Sequence, residues 1–251
     1  MLATERQKII IDILKREKAV VVSQLADNFR VSGETIRRDL ERICRDGIAI
    51  KSHGGAVLNE AGSELPFAQR KSHNFNEKQR IAGLVAEMVN DGNSIMLDAS
   101  TTAVFVARAL KNKNDLTIIT NSVDVAMELA DMRDWTIYVA GGRLIGDYVA
   151  MIGERVARDL AGYCVDLAIF SCKALSIDQG IFDSRDDFSA IKRAMLAAAK
   201  TKILATDQSK FGKTALSKIA DFAEIDAIIT DSRPDANWLE FFAKQKIECR
   251  Y

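Results

Sequence analysis

Cysteine and histidine are scarce in this 251-residue chain. Cys44, Cys164, Cys172 and Cys249 are scattered, no Cys-x-x-Cys occurs, and His53 and His73 do not cluster with them. That spacing excludes the common metal-ligand patterns and a disulfide framework, and it reads as a reduced chain. No apolar run approaches the ~18 residues of a membrane-crossing helix, and nothing after Met1 has a signal-peptide profile. The expectation is a cytoplasmic protein with no membrane partner, metal or cofactor. Repeats and low-complexity tracts are missing too. Neither sign of charge is in excess, since 35 Lys and Arg face 35 Asp and Glu. Taken whole, that balance argues against a polyanion-binding surface. The length allows one large domain, or a small one joined to a medium one, with ample core.

The balance is uneven along the chain. Up to Leu58 there are eleven Lys and Arg against eight acids, an excess of +3, leaving −3 for the remainder. Within this basic part Ile36, Leu40 and Ile43 recur at i, i+4 and i+7, one apolar helical stripe. Ser32 stands where its hydroxyl can cap that helix. Glu34, Arg38, Arg42 and Arg45 point away from the stripe, with Thr35 and Arg37 on its shoulders. A shorter helix precedes it, with Ser23 as cap and Leu25, Ala26 and Phe29 as the buried side. Arg30, Val31 and Ser32 join the two, a connection short enough for a helix-turn-helix. Gly47 closes the second helix. Residues 48–57 then alternate and turn on Gly54-Gly55, a β-wing carrying Lys51 and His53. An earlier helix, capped by Thr4 with Ile9, Ile10, Ile13 and Leu14 on its apolar side, buttresses the pair.

The run Glu34-Thr35-Ile36-Arg37-Arg38-Asp39-Leu40, followed by His53-Gly54-Gly55-Ala56, resembles the signature of the DeoR family of bacterial sugar-operon regulators. The resemblance implies a winged helix-turn-helix reader of double-stranded operator DNA, joined to a C-terminal sensor of phosphorylated sugars. Arg can bond guanine edges or phosphates, and Ser or Thr can reach either. The residues assigned to DNA are Ser32, Glu34, Thr35, Arg37, Arg38 and Arg42 on the reader helix at 32–45, with Lys51 and His53 on the wing. A charge excess of three binds weakly in one copy. Affinity is expected from a homo-oligomer, dimer or tetramer, on half-sites about 34–36 Å apart.

Domain bounds follow from composition. Residues 1–58 form the reader (its helices about 20–45), the polar Gly- and Pro-containing stretch within 59–75 is a linker, and 76–251 form the second domain. A helix opened by Asn76 runs through Ile81, Leu84, Val85 and Met88. Strand-like runs at 94–97, 116–120, 135–139, 165–170, 202–205, 227–230 and 247–249 follow. Helix-like stretches at 102–110, 123–130, 154–160, 187–199 and 235–244 separate most of them. Such alternation makes βαβ units and a mostly parallel sheet, so the fold class is α/β behind a winged helix-turn-helix.

In open α/β sheets a ligand sits beyond the carboxyl ends of strands. Several loops at those ends are polar. After the first strand come Asp98, Ser100, Thr101 and Thr102, whose hydroxyls and helix N-terminus suit a phosphate. Thr120-Asn121-Ser122 follows the next strand, and Gly141-Gly142 the one after, where backbone amides can approach a ligand. Ser171-Cys172-Lys173 and Asp207-Gln-Ser-Lys210 complete the set, Lys210 as a point charge for phosphate and Asp207 for sugar hydroxyls. Lys192, on the helical stretch that follows, is a further cation beside these loops, though by itself it reads as a surface lysine. The effector residues expected are therefore Asp98, Ser100, Thr101, Thr102 and Asn121, then Gly141, Gly142, Ser171, Lys173, Asp207 and Lys210.

The order Asp98-x-x-Thr101-Thr102, Thr120-Asn121, Gly141-Gly142 and Asp207-x-Ser209-Lys210-Phe211-Gly212 also resembles the DeoR sensor. It implies a fold akin to ribose-5-phosphate isomerase and glucosamine-phosphate deaminase. The family usually has glycine where Ser100 stands, and a glycine-rich turn at Ser171-Cys172-Lys173-Ala174. Leu97-Asp-Ala-Ser-Thr, Phe170-Ser-Cys and Phe182-Asp-Ser are more similar to fucose-operon-type members, implying a deoxyhexose or ketose phosphate. The resulting expectation is a repressor relieved by a phosphorylated sugar, with an activator as the alternative. An isomerase needs a base and a partner; Asp98, Asp178, Asp183 and Asp186 lack a His or Glu partner in these loops, so no catalytic residue is assigned. A pure DNA-binding module with a structural second domain would leave the polar loops without purpose.

Overall fold

The computed structural model describes residues 1–45, 48–59 and 65–251, in two compact units, Met1–His73 and Asn74–Tyr251. Gly47, expected to close the reader helix, and residues 60–64 of the expected linker lie outside the described residues.

The first unit runs α1 (Ala3–Glu17), β1 (Ala19–Val21), α2 (Val22–Phe29), α3 (Gly33–Arg45), β2 (Ala49–Ser52), β3 (Gly55–Leu58) and α4 (Phe67–Ser72). Two expected caps are replaced. Thr4 lies inside the first turn of α1, which starts after Leu2, whose N–H donates to Glu5 Oε2 at 3.1 Å. Ser23 lies inside α2, because Val20 and Val21 take the extended state that β-branched residues favour and pair with β3. The wing is consequently three-stranded, in the order β1-β3-β2. Gly55 sits where a Cβ would run into the Val20 carbonyl, so the β1–β3 approach depends on glycine. Ser32 does cap α3, accepting from the Thr35 N–H at 3.2 Å. Ile10, Leu14, Leu25, Ile36, Leu40 and Ile43 meet in one core. Ile9, expected inside, is exposed, and Arg6 takes the buried position one turn before Ile10. Phe67 to Ser72, read as linker, is helical, with Phe67 buried.

The second unit opens with α5 (Phe75–Glu87), preceded by Asn74 rather than Asn76. A seven-stranded parallel sheet follows: β4 (Ser94–Leu97), β5 (Thr117–Thr120), β6 (Thr136–Val139), β9 (Val165–Phe170), β12 (Ala199–Ala205), β14 (Ala227–Ile229) and β15 (Glu248–Arg250), ordered β15-β14-β12-β9-β4-β5-β6. Helices α6 (Thr101–Ala109), α7 (Val123–Leu129), α8 (Glu154–Ala161), α9 (Asp186–Ala197) and α10 (Ala236–Gln245) lie between strands. Beside the sheet are the hairpin β7 (Arg143–Ile145) and β8 (Ala150–Ile152), and an antiparallel trio of β10 (Ala174–Ser176), β11 (Gly180–Asp183) and β13 (Ser217–Ala220). One core gathers Met96, Ile119, Val156, Phe188 and Met195; another holds Phe170, Leu204, Phe222, Trp238 and Phe242.

At the amino ends of the strands Asp166 fastens β9 to β4. It accepts from the Ser94 N–H at 2.9 Å, Lys200 Nζ at 3.0 Å and the Ser94 hydroxyl at 2.8 Å. The backbone bond, then the lysine and hydroxyl bonds, lower its pKa from 3.8 to about 2. A depressed carboxyl pKa stabilises the fold above the unfolded value and loses that contribution as pH falls toward the folded one. Asp166→Asn should therefore reduce the urea midpoint at pH 7, and the gap to wild type should shrink as pH falls from 4 toward about 2. A pH-independent gap would assign the loss to packing.

Candidate functional site

On α3, Ser32, Glu34, Arg37, Arg38 and Arg42 are exposed, as are Lys51 and His53 on the wing; Thr35 is half-buried. Ser32 and Thr35 hydroxyls lie 2.9 Å apart, so Ser32 is committed to the cap. Glu34 reaches Arg37 at 3.6 Å and Arg38 at 3.5 Å, and Lys51 reaches Glu41 at 3.3 Å. Exposed pairs of this kind contribute little and can be exchanged for phosphate contacts. Arg38→Ala should weaken binding to specific DNA by about 1–3 kcal/mol, the value of a bidentate base contact, and leave any small-molecule response intact. Unchanged affinity in a fluorescence-anisotropy titration would take Arg38 out of the reading surface.

In the second unit the order of strands reverses direction at one place. From β4 the chain proceeds outward through β5 and β6; from the adjacent β9 it proceeds the other way through β12, β14 and β15. Loops leaving such neighbours separate and open a crevice at the strands' carboxyl ends. The loops there are Asp98–Thr102 and Ser171–Lys173, and they are bound together from below. Asp98, 1% exposed, accepts from the Ser171 N–H at 3.1 Å and from Lys192 Nζ at 3.2 Å through Oδ2. Its Oδ1 accepts from the Ser100 N–H at 3.1 Å and hydroxyl at 2.6 Å.

Lys192 corrects the sequence reading outright: it is 6% exposed, not on the surface. Its ammonium donates to Asp183 Oδ2 at 2.5 Å and the Ser171 carbonyl at 2.7 Å, besides facing Asp98. Burial lowers its pKa, but Asp183 and Asp98 more than offset this, and the net shift is upward. It stays charged. One ammonium therefore ties the loops after β4 and β9 and the last residue of β11 to α9. Its position was readable, because Phe188, Lys192 and Met195 share the apolar stripe of α9.

These bonds divide the expected effector residues. Ser100 is consumed: its hydroxyl donates to Asp98 and accepts from the Ala103 N–H at 3.0 Å. Asp98 is framework, and Ser171 joins it through its backbone N–H and carbonyl alone. Thr101 and Thr102, buried in the first turn of α6, keep hydroxyls with no hydrogen-bond partner among the described residues. The Asn121 amide donates to the Met151 carbonyl at 2.9 Å, holding β8 across the end of β5, while its buried Oδ1 has no partner among the described residues. A buried lone acceptor is costly unless a donor arrives. Gly142 serves packing: a Cβ would sit 2.5 Å from Val156 Cγ2 and 2.6 Å from the Ile152 carbonyl. Gly141 is open to solvent on its side-chain side.

Asp207, after β12, is buried and accepts from Asn74 Nδ2 at 3.1 Å, the Ser209 N–H at 3.0 Å and the Ser209 hydroxyl. Burial raises its pKa; Lys210, Ser209 and Lys78 lower it more, and it ends below the usual carboxylate value. Half-buried Lys210 also acts on the Cys172 thiol, which burial pushes up to about 12 despite Thr206, Lys192 and Lys210. The charge of Lys210 is thus felt at the β9 loop. Lys173 is exposed, its N–H taken by the Phe182 carbonyl at 2.9 Å. Uncommitted hydroxyls at a helix N-terminus, a lone buried acceptor and a half-buried cation remain, a set suited to a small anion carrying a hydrogen-bond donor.

A winged DNA-reading unit on a separate α/β unit with this site defines a DNA-binding transcriptional regulator. Residues 6–61 match the DeoR-like helix-turn-helix domain, and residues 73–232 match the DeoR C-terminal sensor domain. The chain belongs to the DeoR family. It is 36% identical to the HTH-type transcriptional regulator YulB of Bacillus subtilis, over 99% of this chain and 96% of that protein. It is 31% identical to the glycerol-3-phosphate regulon repressor of Escherichia coli, over 99% of this chain and 98% of that one. A solved ribose 5-phosphate isomerase A from Methanocaldococcus jannaschii is 17% identical, covering 55% of each chain at a TM-score of 0.41, a distant likeness that says nothing of activity. The isomerase alternative is set aside by membership of a regulator family. No helix among the described residues is long and apolar enough to cross a membrane.

Proposed function

We propose that this regulator is a cytoplasmic repressor of a carbohydrate-catabolic operon, released by a phosphorylated sugar or polyol. The functional division we propose is reader 1–58, linker 59–75 and sensor 76–251, acting as a homo-oligomer on paired half-sites. The observation that carries the reading is the strand-order reversal between β9 and β4, whose two loops are bound together through Asp98 and Lys192. The phosphate is assigned to the α6 N-terminus with Thr101, Thr102 and Lys210, and a hydroxyl of the effector to Asn121 Oδ1. The name of the Escherichia coli relative makes glycerol 3-phosphate the first compound to try. The Phe170-Ser-Cys and Phe182-Asp-Ser runs add deoxyhexose and ketose phosphates.

Release sets an energetic condition. Moving a population from 1:99 to 99:1 takes about 5.5 kcal/mol of differential binding. Charge-assisted hydrogen bonds at roughly 1.5–3 kcal/mol each meet it only if most form in one state alone. The test is a thermal-shift screen of sugar and polyol phosphates beside their unphosphorylated parents. A ligand at a hundred times its Kd adds about 2.7 kcal/mol. A shift with one phosphate and none with its parent is the expected result. A silent panel would remove the phosphate site and leave the DNA reader standing.

A further inference from the structure

Asp39 belongs to the motif run Glu34–Leu40, yet it faces inward and no DNA contact accounts for it. It lies in the middle of α3 and accepts from Arg6 Nε at 2.5 Å and Gln7 Nε2 at 2.8 Å, both on α1. The Arg6 and Asp39 side chains are 8% and 4% exposed. Arg6 lies one turn before Ile10 on α1, and Asp39 lies beside Leu40 and one turn from Ile36 and Ile43 on α3, all residues of the unit's apolar core. Apolar neighbours of suitable volume would fill that space at no loss of stability, since a buried ion pair gives up its hydration to form. Stability alone does not explain the pair.

Its position on the helix does. At 100° per residue, Asp39 lies on the margin between the apolar stripe of Ile36, Leu40 and Ile43 and the face that carries half-buried Thr35 and exposed Arg38 and Arg42. Apolar burial is non-directional and leaves α3 free to roll about its axis. A carboxylate bonded on one oxygen by the Arg6 guanidinium and on the other by the Gln7 amide is directional and fixes the roll. With side-chain tips roughly 5–6 Å from the axis, a roll of about 20° displaces them ~2 Å. Base contacts tolerate only about 2.7–3.2 Å between donor and acceptor. We infer that Arg6 and Asp39 are positioning residues for DNA reading, locking the rotation of α3 so that its arginines meet base edges in register.

The experiment uses the full chain and a duplex enriched by the wild-type protein from a random pool, with a scrambled duplex as control. Arg6→Met with Asp39→Leu replaces the pair by apolar groups. The double variant is expected to keep or exceed the wild-type melting temperature. It is expected to bind the enriched duplex about tenfold or more weakly, the loss of one base contact, with scrambled-duplex affinity unchanged. Wild-type melting together with wild-type preference would overturn the inference and leave the pair a packing element. As a second probe, Arg6→Lys and Asp39→Glu each keep the charge and alter its reach. A fall in the enriched-to-scrambled ratio supports positioning, and an unaltered ratio in both counts against it.

Discussion

Lys192→Met should abolish the effector response and lower the stability of the second unit by about 3–5 kcal/mol, the usual cost of removing one partner from a buried ion pair. The methionine keeps the stem's volume but leaves Asp98 and Asp183 buried without their cation, and the Ser171 carbonyl without its donor. The loops after β4 and β9 then lose the group that binds both. Trp135 and Trp238 are the two tryptophans of the chain and both lie in this unit, so urea unfolding followed by their fluorescence reports it directly. Adding Asp183→Asn removes one of the stranded charges and should recover part of the stability but not the response. Full stability in Lys192→Met would show that the ammonium is dispensable to the frame. DNA binding by the first unit gives the internal control, because its fold shares none of these bonds.

The second large effect is expected at Lys210. Lys210→Ala should raise the effector concentration needed for release by about tenfold or more, the value of one charge-assisted hydrogen bond of roughly 1.5–3 kcal/mol. Specific DNA binding should stay near wild type, leaving a repressor that ignores its inducer, while the urea midpoint at pH 7 should fall modestly because Asp207 loses part of its stabilising partner set. Asp207 adds a pH signature. Lys210 is among the groups holding its pKa below 3.8. A depressed carboxyl stabilises above that value and less below it. Without Lys210 the Asp207 pKa rises, so acid weakening begins at higher pH in the variant. A variant with a normal response would move the phosphate away from Lys210, leaving Thr101 and Thr102 to hold it alone.

Both effects turn on side chains whose surroundings were legible to different degrees. The stripe Ile36, Leu40 and Ile43 has one period and one solution, so α3 was fixed by local pattern. The parallel strands were readable for the same reason: each is a short apolar run between helical stretches. Elements whose state depends on a distant partner were not. Val20 and Val21 become β1 only because β3 offers them a ladder, and Ala199 leaves its alanine-rich helical run to pair with Val165 on β9. Tertiary pairing overrides helix propensity there. The β7–β8 hairpin and the β10, β11 and β13 trio do not alternate with helices as the parallel strands do, so the pattern that marked those strands is missing from them.

At the site the division is sharper. The sequence determined which residue types collect at the strand ends, since a loop after a strand and before a helix has one place to be in an α/β sheet. It also determined the reading helix, the wing and the family. Only the tertiary structure decided which of those residues are free to meet a ligand. Ser100 and Lys192 carry the same groups whether they face a phosphate or Asp98, and a hydrogen bond spends a donor on one partner. Strand order set that choice: β9 lies beside β4 although β5 to β8 come between them in sequence. That adjacency brings Ser171, Lys192 and Asp98 within hydrogen-bond reach. No local pattern encodes it, because the energy that fixes strand order is the burial of both sheet faces summed over the whole unit.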